Sequence, residues 1–327
     1  MKTRPQSDRR CTYVIAIERS ENDAADLRSL AQYLSTLGVI GCDVIVVDGS
    51  APELFDEHRR VIRWVARHMA ARPAHRTAAG IDPVAAAIDF AQTEKVVVAD
   101  PAVRYTASDI DQLCDLLELH EVVVPQAYLD PLPWWGGIEA GRILVHRGIE
   151  PTGDGGTFGI RRTAVRSLRS LDIPAEEAEE PLRRLGLRGA EVFAAQDVFV
   201  RREPPGLSTW LRDRVRSADA EFAMPVRTVL FFAMIPVAFM VALFGGLRMA
   251  GTYAGAIAFA SMVLAVRGRI GASPFFPLRA CLYAPVWVLE RSISVYWALW
   301  RKLQPSGVEA AGEFEAERAG QRVASGE

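Results

Sequence analysis

The sequence predicts an α/β domain with a mostly parallel sheet, followed by a hydrophobic membrane region. Three observations carry this reading. Between Cys11 and Phe199, short β-branched runs alternate with stretches of helical periodicity, the pattern of parallel strands joined by helices. After Pro225, two nearly uncharged stretches follow one another. The composition, 50% hydrophobic with a mean hydropathy of +0.09, is high for a chain that meets only water.

The clearest strands are residues 13–17, 44–47, 96–99 and 122–124, each a nearly continuous apolar run, as expected of strands covered on both faces. Between the first two, Leu27, Leu30, Ala31, Leu34 and Leu37 share one helical stripe over 23–37, with Asn22 or Asp23 placed to cap it. The chain divides into a flexible start (1–10), an α/β domain (11–221), a membrane region (222–303) and a polar tail (304–327) too poor in large apolar residues to fold.

Residues 229–247 and 250–266 approach the length that spans a hydrocarbon core of about 30 Å. A short turn at Gly246, Arg248 and Gly251 makes them a transmembrane hairpin, and Gly251 with Gly255 gives a small-xxx-small spacing for close helix packing. The alternative, two buried core helices, needs a protein shell that the remaining chain is too short to supply. Residues 278–303 are also apolar, but Glu290 and Arg291 interrupt them. Tyr283, Trp287, Tyr296, Trp297 and Trp300 suit a headgroup layer, so an interfacial helix is expected over a third span. Arg212, Arg214, Arg216 and Arg227 precede the hairpin, Arg267, Arg269 and Arg279 follow it, and Arg248 marks the distal turn. The positive-inside rule then puts both ends and the α/β domain on the cytoplasmic side of a multi-pass cell-membrane protein.

A net charge of -2 and a pI near 6.3 give no basic field of the kind that attracts nucleic acid. The four cysteines, Cys11, Cys42, Cys114 and Cys281, have neither zinc nor redox spacing and read as reduced, mostly buried thiols. The start is polar and basic, and the apolar run behind it is too short for a signal-peptide core. The five histidines, His58, His68, His75, His120 and His146, show no ligand or triad spacing and read as structural or surface residues.

Two aspartates lie at strand ends, Asp48 in VIVVDGS and Asp100 in VVVADPAVRY. In open α/β sheets ligands bind beyond the strand C-termini, where a carboxylate can bond a ribose or a base; an aspartate after a strand is as often a turn former or a cap. Trp134 and Trp135, beside glycines in PLPWWGG, read as a loop with flat faces for a sugar ring or an acceptor chain, with core packing as the alternative. Arg161 with Arg162, Arg201 with Arg202, and the Arg212, Arg214, Arg216 run offer bidentate partners for phosphate; the last run also suits anionic headgroups. Glu176, Glu177, Glu179 and Glu180 precede Pro181 and a short helix, where carboxylates favour the helix dipole or supply a general base.

The order VIVVDGS, VVVADPAVRY, PQAYLDPLPWW, GTFGIRR, an acidic stretch, then PPGLSTWLRDRVR before membrane helices resembles processive and lipid-linked family 2 glycosyltransferases over roughly residues 12 to 300. The resemblance implies a GT-A fold (Rossmann-like, mostly parallel sheet) and inverting transfer from a nucleotide-sugar donor to a lipid or lipid-linked glycan. It implies donor contacts at Asp48, Asp100 and Arg216 and diphosphate-side or acceptor-side contacts at Arg161 and Arg162, while the flat faces of Trp134 and Trp135 make those two the acceptor contacts. The catalytic base would be Glu177, with Glu180 as runner-up, and a divalent metal, Mg or Mn, would sit on Asp100. Three departures stand out. The family's second metal carboxylate is Ala102 here, its Gln-x-x-Arg-Trp signature retains only Arg216 in DRVRS, and Gly80-Ile81 replaces a common Gly-Lys pair. With one carboxylate, any metal site is weakened. The rival readings are a catalytically degenerate member acting as a binding or scaffolding membrane subunit, and an unrelated membrane-tethered α/β nucleotide-binding protein.

Overall fold

Strands buried on both faces need a core on each side, and the computed structural model has one on each. It describes residues 10–17, 24–73, 76–77, 80–81, 86, 89–149, 156–164, 189–211 and 225–303. Two compact units divide the chain: Met1–Pro205 with Phe259–Pro285, and Gly206–Ala258 with Val286–Glu327.

The first unit is built on an eight-stranded sheet. Its strands are β1 (Thr12–Ile17), β2 (Asp43–Asp48), β3 (Arg67–Ala70), β6 (Lys95–Ala99), β7 (Val103–Arg104), β8 (Val122–Leu129), β9 (Thr157–Arg161) and β10 (Val192–Arg202). Their order is β3-β2-β1-β6-β9-β8-β10-β7; β4 (Arg76–Thr77) and β5 (Gly80–Ile81) form a separate antiparallel pair. β1, β2, β3 and β6 are parallel, β9 runs antiparallel to both β6 and β8, and β7 runs antiparallel to β10. Alternation splits the strand residues between two cores: Tyr13, Ile15, Val44 and Val46 line one, and Val14, Ile45 and Val47 the other. The first core takes Leu27, Leu30, Leu34 and Leu37 of α1 (Ala24–Ile40), the expected stripe, and Ile110, Leu113 and Leu117 of α3 (Ala107–Leu119). A capping box between Thr106 and Asp109 starts α3. α2 (Pro52–Ile62) opens with a proline in its first turn and turns His58 and Ile62 inward.

β8 and β10 are parallel, but their register breaks once. Ala195 faces Pro125, and the next pair is Phe199 with Gln126. The break falls at a residue with no N–H to give to a ladder. Arg147 of α4 (Trp134–Ile149) holds the extra residues by donating to the carbonyl of Gln196 at 3.3 Å, and it also donates to the carbonyl of Gly268 at 3.0 Å.

The PLPWW segment departs from the expected loop. Trp134 and Trp135 are the first residues of α4, and Gly137 N–H closes its first turn on the Pro133 carbonyl at 3.1 Å. The glycines that suggest a loop serve close approach instead. A Cβ on Gly137 would stand 2.6 Å from the Tyr283 ring, and one on Gly141 would stand 2.9 Å from the backbone of Ala284. A Cβ on Gly268 would fall 1.9 Å from the carbonyl oxygen of Leu144. The 3₁₀ helix Leu278–Tyr283 and the end of α5 (Pro225–Arg269) therefore lie backbone-to-backbone on α4.

In α5, residues 228–269 are long and apolar enough to cross a membrane, with a mean hydropathy of 2.4 and 6% of the most apolar window buried. The turn expected over 246–251 is confined to one residue: Gly246 adopts φ 75, ψ 175, a backbone that glycine alone tolerates, and 247–251 are helical. In the second unit, Trp287, Val288, Arg291, Ser292 and Val295 of α6 (Ala284–Leu303) turn inward, with Phe231 edge-on to Trp287 at 5.6 Å and Phe232 stacked on Tyr296 at 4.5 Å. Val286, Leu289, Ile293, Trp297 and Trp300 are exposed on the other side of α6, an apolar face of the kind an interfacial helix carries.

The glycine contacts make an opposed pair of outcomes. Gly268→Ala should destabilise the protein by about 1–3 kcal/mol, because its Cβ meets backbone that cannot rotate away. Gly38→Ala, in α1 with nothing within 4 Å, should stabilise by about 0.5 kcal/mol through lost chain entropy. Thermal unfolding of the purified variants measures both; equal melting temperatures would contradict the packing described.

Candidate active site

The parallel strands deliver residues to one edge of the sheet, beyond their C-terminal ends. Asp48 ends β2 and Asp100 follows β6, as the sequence indicates, but their surroundings differ sharply.

The sequence assigns Asp48 to a ribose or a base; the structure gives its carboxylate other partners. His58 Nδ1 of α2 lies 2.7 Å from Oδ2, His68 Nε2 of β3 lies 2.9 Å from the same oxygen, and the Ser50 N–H donates to Oδ1 at 2.9 Å. The Asp48 side chain is fully buried. A carboxylate only accepts, so each ring nitrogen facing it carries its proton. The opposite nitrogens, His58 Nε2 and His68 Nδ1, are buried with no hydrogen-bond partner among the described residues, and His68 stacks on Phe55 at 4.4 Å. Burial pushes the Asp48 pKa up, but the hydrogen bonds from His68, Ser50 and His58 outweigh it and hold it at about 2. The two histidines lie 10 and 20 residues downstream with no motif between, so only the pairing of β3 on β2 and the inward face of α2 bring them to Asp48.

Asp100 sits at a more open place. Its Oδ1 accepts from the Ala102 N–H at 2.7 Å, and its Oδ2 lies 3.6 Å from Arg202 Nη2. The neighbourhood is a set of ion pairs: Arg104 with Glu203 at 2.7 Å, and Arg201 with Asp130 at 3.4 Å. The backbone locks it together, since Glu203 N–H donates to the Ala102 carbonyl at 2.9 Å and Arg202 stands opposite Val103 in the β10–β7 pair. Beneath it, Arg104 lies over the Tyr33 ring at 4.8 Å, and Tyr33 Oη accepts from the Tyr105 N–H at 2.8 Å.

Trp134 and Trp135 flank the same edge, just past the end of β8. Trp135 Nε1 donates to the Pro205 carbonyl at 3.3 Å, and Trp134, edge-on to it at 5.8 Å, is 63% exposed. Arg161 and Arg162 are elsewhere. Antiparallel β9 pairs Arg161 with Lys95 and Thr157 with Ala99, and Arg162 N–H donates to the carbonyl of Glu94. Four strand residues, roughly 13 Å, separate Arg161 from the Asp100 edge. Glu177, Glu180 and Arg216 lie outside the described residues.

Among the described residues, the donor set does not complete a divalent-ion site. Both oxygens of Asp100 are engaged, Ala102 supplies no carboxylate, and among the described residues no group of three or more His, Cys, Asp or Glu side chains is placed to hold a metal.

No protein-family model matches the chain, and no curated protein matches it by sequence. Solved structures similar to it include a mannosyltransferase from Pyrobaculum calidifontis in complex with GDP-Man and Mn2+, at 16% identity and a TM-score of 0.46, covering 88% of this chain and 87% of that one. A nucleotide-diphospho-sugar transferase from Desulfovibrio desulfuricans G20 is 10% identical, with a TM-score of 0.37 and coverage of 60% and 82%. Glucosyl-3-phosphoglycerate synthase from Mycobacterium tuberculosis, in complex with Mn2+, UDP and glucosyl-3-phosphoglycerate, is 15% identical, with a TM-score of 0.36 and coverage of 61% and 75%.

The depressed Asp48 pKa sets the sign of a pH effect. Its contribution to stability is full above the ordinary value of 3.8 and is lost as the pH falls toward about 2. The stability difference between the wild type and Asp48→Asn should therefore shrink by about 2 kcal/mol between roughly pH 5 and pH 2. Denaturant unfolding across that range reads it, and a constant difference would contradict the assigned hydrogen bonds.

Proposed function

We propose that this chain binds a nucleotide sugar at the Asp100 edge of its sheet and transfers the sugar, with inversion, to a lipid or lipid-linked glycan at the cytoplasmic face of a membrane. The observation that carries the reading is the meeting of Asp100, at the end of β6, with Arg202, at the end of β10, beyond the strand C-termini. Such a crevice is where open α/β sheets bind nucleotides, and guanidinium groups match phosphate oxygens. The motif order that resembles family 2 glycosyltransferases supports the same site.

In this reading Asp100 accepts from the ribose or the sugar. Asp48, with its carboxylate spent on His58, His68 and Ser50, shapes the pocket floor by fixing the Gly49–Ser50 turn. The exposed face of Trp134 receives the acceptor by stacking, and a carboxylate of the acidic run, Glu177 before Glu180, takes the acceptor proton. A hairpin broken at Gly246, together with the exposed apolar face of α6, holds the domain at the bilayer, where a lipid acceptor is presented. One specific observation favours a second reading, a degenerate glycosyltransferase that binds without turnover: Ala102 stands where a second carboxylate would complete a metal pair.

Calorimetry of the detergent-solubilised protein with a panel of nucleotide sugars tests the proposal. At least one should bind, and Asp100→Ala should weaken it roughly 10- to 100-fold, the loss of a charged hydrogen-bond acceptor. Glu177→Gln should leave donor binding intact while abolishing transfer to a lipid acceptor. Binding with no transfer by the wild type would favour the binding subunit, and no binding to any donor would overturn both readings.

A further inference from the structure

We infer that Arg202 takes the place of the divalent cation at the donor diphosphate, so that this site holds a nucleotide sugar and neutralises its leaving group without metal. The inference rests on the nucleotide-sugar reading and assigns the chemistry of that same site. Its starting point is the disagreement between the carboxylate pattern and a metal site: the chain has Asp100 but Ala102, and both oxygens of Asp100 are already engaged.

Charge explains why the two changes belong together. A pair of carboxylates facing a diphosphate needs a doubly charged ion to offset both. One carboxylate needs only a single positive charge, and Arg202 supplies it 3.6 Å from Asp100. That separation exceeds a normal hydrogen bond, and a phosphate oxygen at hydrogen-bond range is the stronger partner for a guanidinium.

Position supports the assignment. The last two residues of β10 are tied between Tyr128–Leu129 on one side and Val103–Arg104 on the other, and Glu203 N–H anchors the Ala102 carbonyl. The Arg202 backbone is thus fixed relative to the loop that carries Asp100, as a charge-stabilising group must be if it is not to reorganise during reaction. Arg202 and Asp100 remain partly exposed, at 29% and 37% of their side-chain surface, and so are within reach of a ligand entering the crevice. Arg104 pairs with Glu203 and Arg201 with Asp130, whereas Arg202 pairs with Asp100, the donor-site residue itself.

In transfer, the acceptor oxygen forms its bond to the anomeric carbon as the bond from that carbon to the diphosphate oxygen breaks. The electron pair leaves with the nucleoside diphosphate, whose new charge faces the Arg202 N–H groups. The acceptor proton passes to a carboxylate of the acidic run.

Titration of the full chain in detergent with GDP and UDP, first in EDTA and then in Mn2+, tests this. The expected result is binding of at least one of them in EDTA, changed by less than about threefold on adding Mn2+, and weakened roughly 10- to 100-fold by Arg202→Gln. Binding that requires Mn2+ would overturn the inference and leave the nucleotide-sugar reading standing, as would wild-type affinity in a folded Arg202→Gln. Should Arg202→Gln fail to fold, Arg202→Lys decides, since it keeps the charge and loses the planar fork: a loss of about tenfold supports the assignment and no loss overturns it. No binding of either nucleotide in either condition overturns the inference, and the donor panel described above then decides the nucleotide-sugar reading.

Discussion

The Asp100 edge of the sheet depends on the register break between β8 and β10. Had the pairing of Ala195 with Pro125 simply continued, Arg202 would lie three residues further along, roughly 10 Å beyond the end of β8. The extra residues at Pro125 draw the end of β10 back, so that Arg202 faces Leu129 and Val103 at once. That double pairing is what ties β7, and with it the Pro101–Ala102 turn and Asp100, to the ends of β10 and β8. Arg147, bonded to the Gln196 carbonyl and lying over the Phe199 ring at 5.1 Å, clamps the bulge from α4. The same helix is held by glycine contacts to the 3₁₀ helix and the end of α5, so these segments and the end of β10 share one support.

Two aspartates in equivalent topological places have acquired different chemistry. Asp48 is buried and its charge is retained because three groups donate to it; removing any of them would leave a buried charge short of a partner. Asp100 is partly exposed, and one of its oxygens faces a guanidinium at more than hydrogen-bond distance. The first arrangement makes a rigid strand end, and the second makes a place where partners can exchange. A site needs both, a fixed floor and a replaceable ion pair.

Much of this architecture is legible from the sequence, and the failures share a cause. The four apolar strand runs and the Leu27 to Leu37 stripe are local patterns, and all appear where periodicity puts them. Strand direction is not local: β9 is antiparallel, which carries Arg161 and Arg162 to the opposite end of the sheet from Asp100 although they follow an apolar run like the others. His58 and His68 look unremarkable in sequence because only tertiary packing joins them to Asp48. Gly136 and Gly137 read as loop residues, yet at Gly137 the missing side chain is what lets the Tyr283 ring approach. The turn expected over six residues shrinks to Gly246 for a related reason, since one residue in a glycine-only conformation suffices to interrupt a helix.

Amide hydrogen exchange with and without a bound nucleotide sugar tests the central claim most directly, because it reports where the ligand sits without presuming which side chain holds it. The account predicts protection concentrated in residues 100–104 and 201–203, the two segments that the β10 register break brings together. Protection centred on residues 94–95 and 161–162, at the opposite end of the sheet, with the Asp100 edge unchanged, would contradict it.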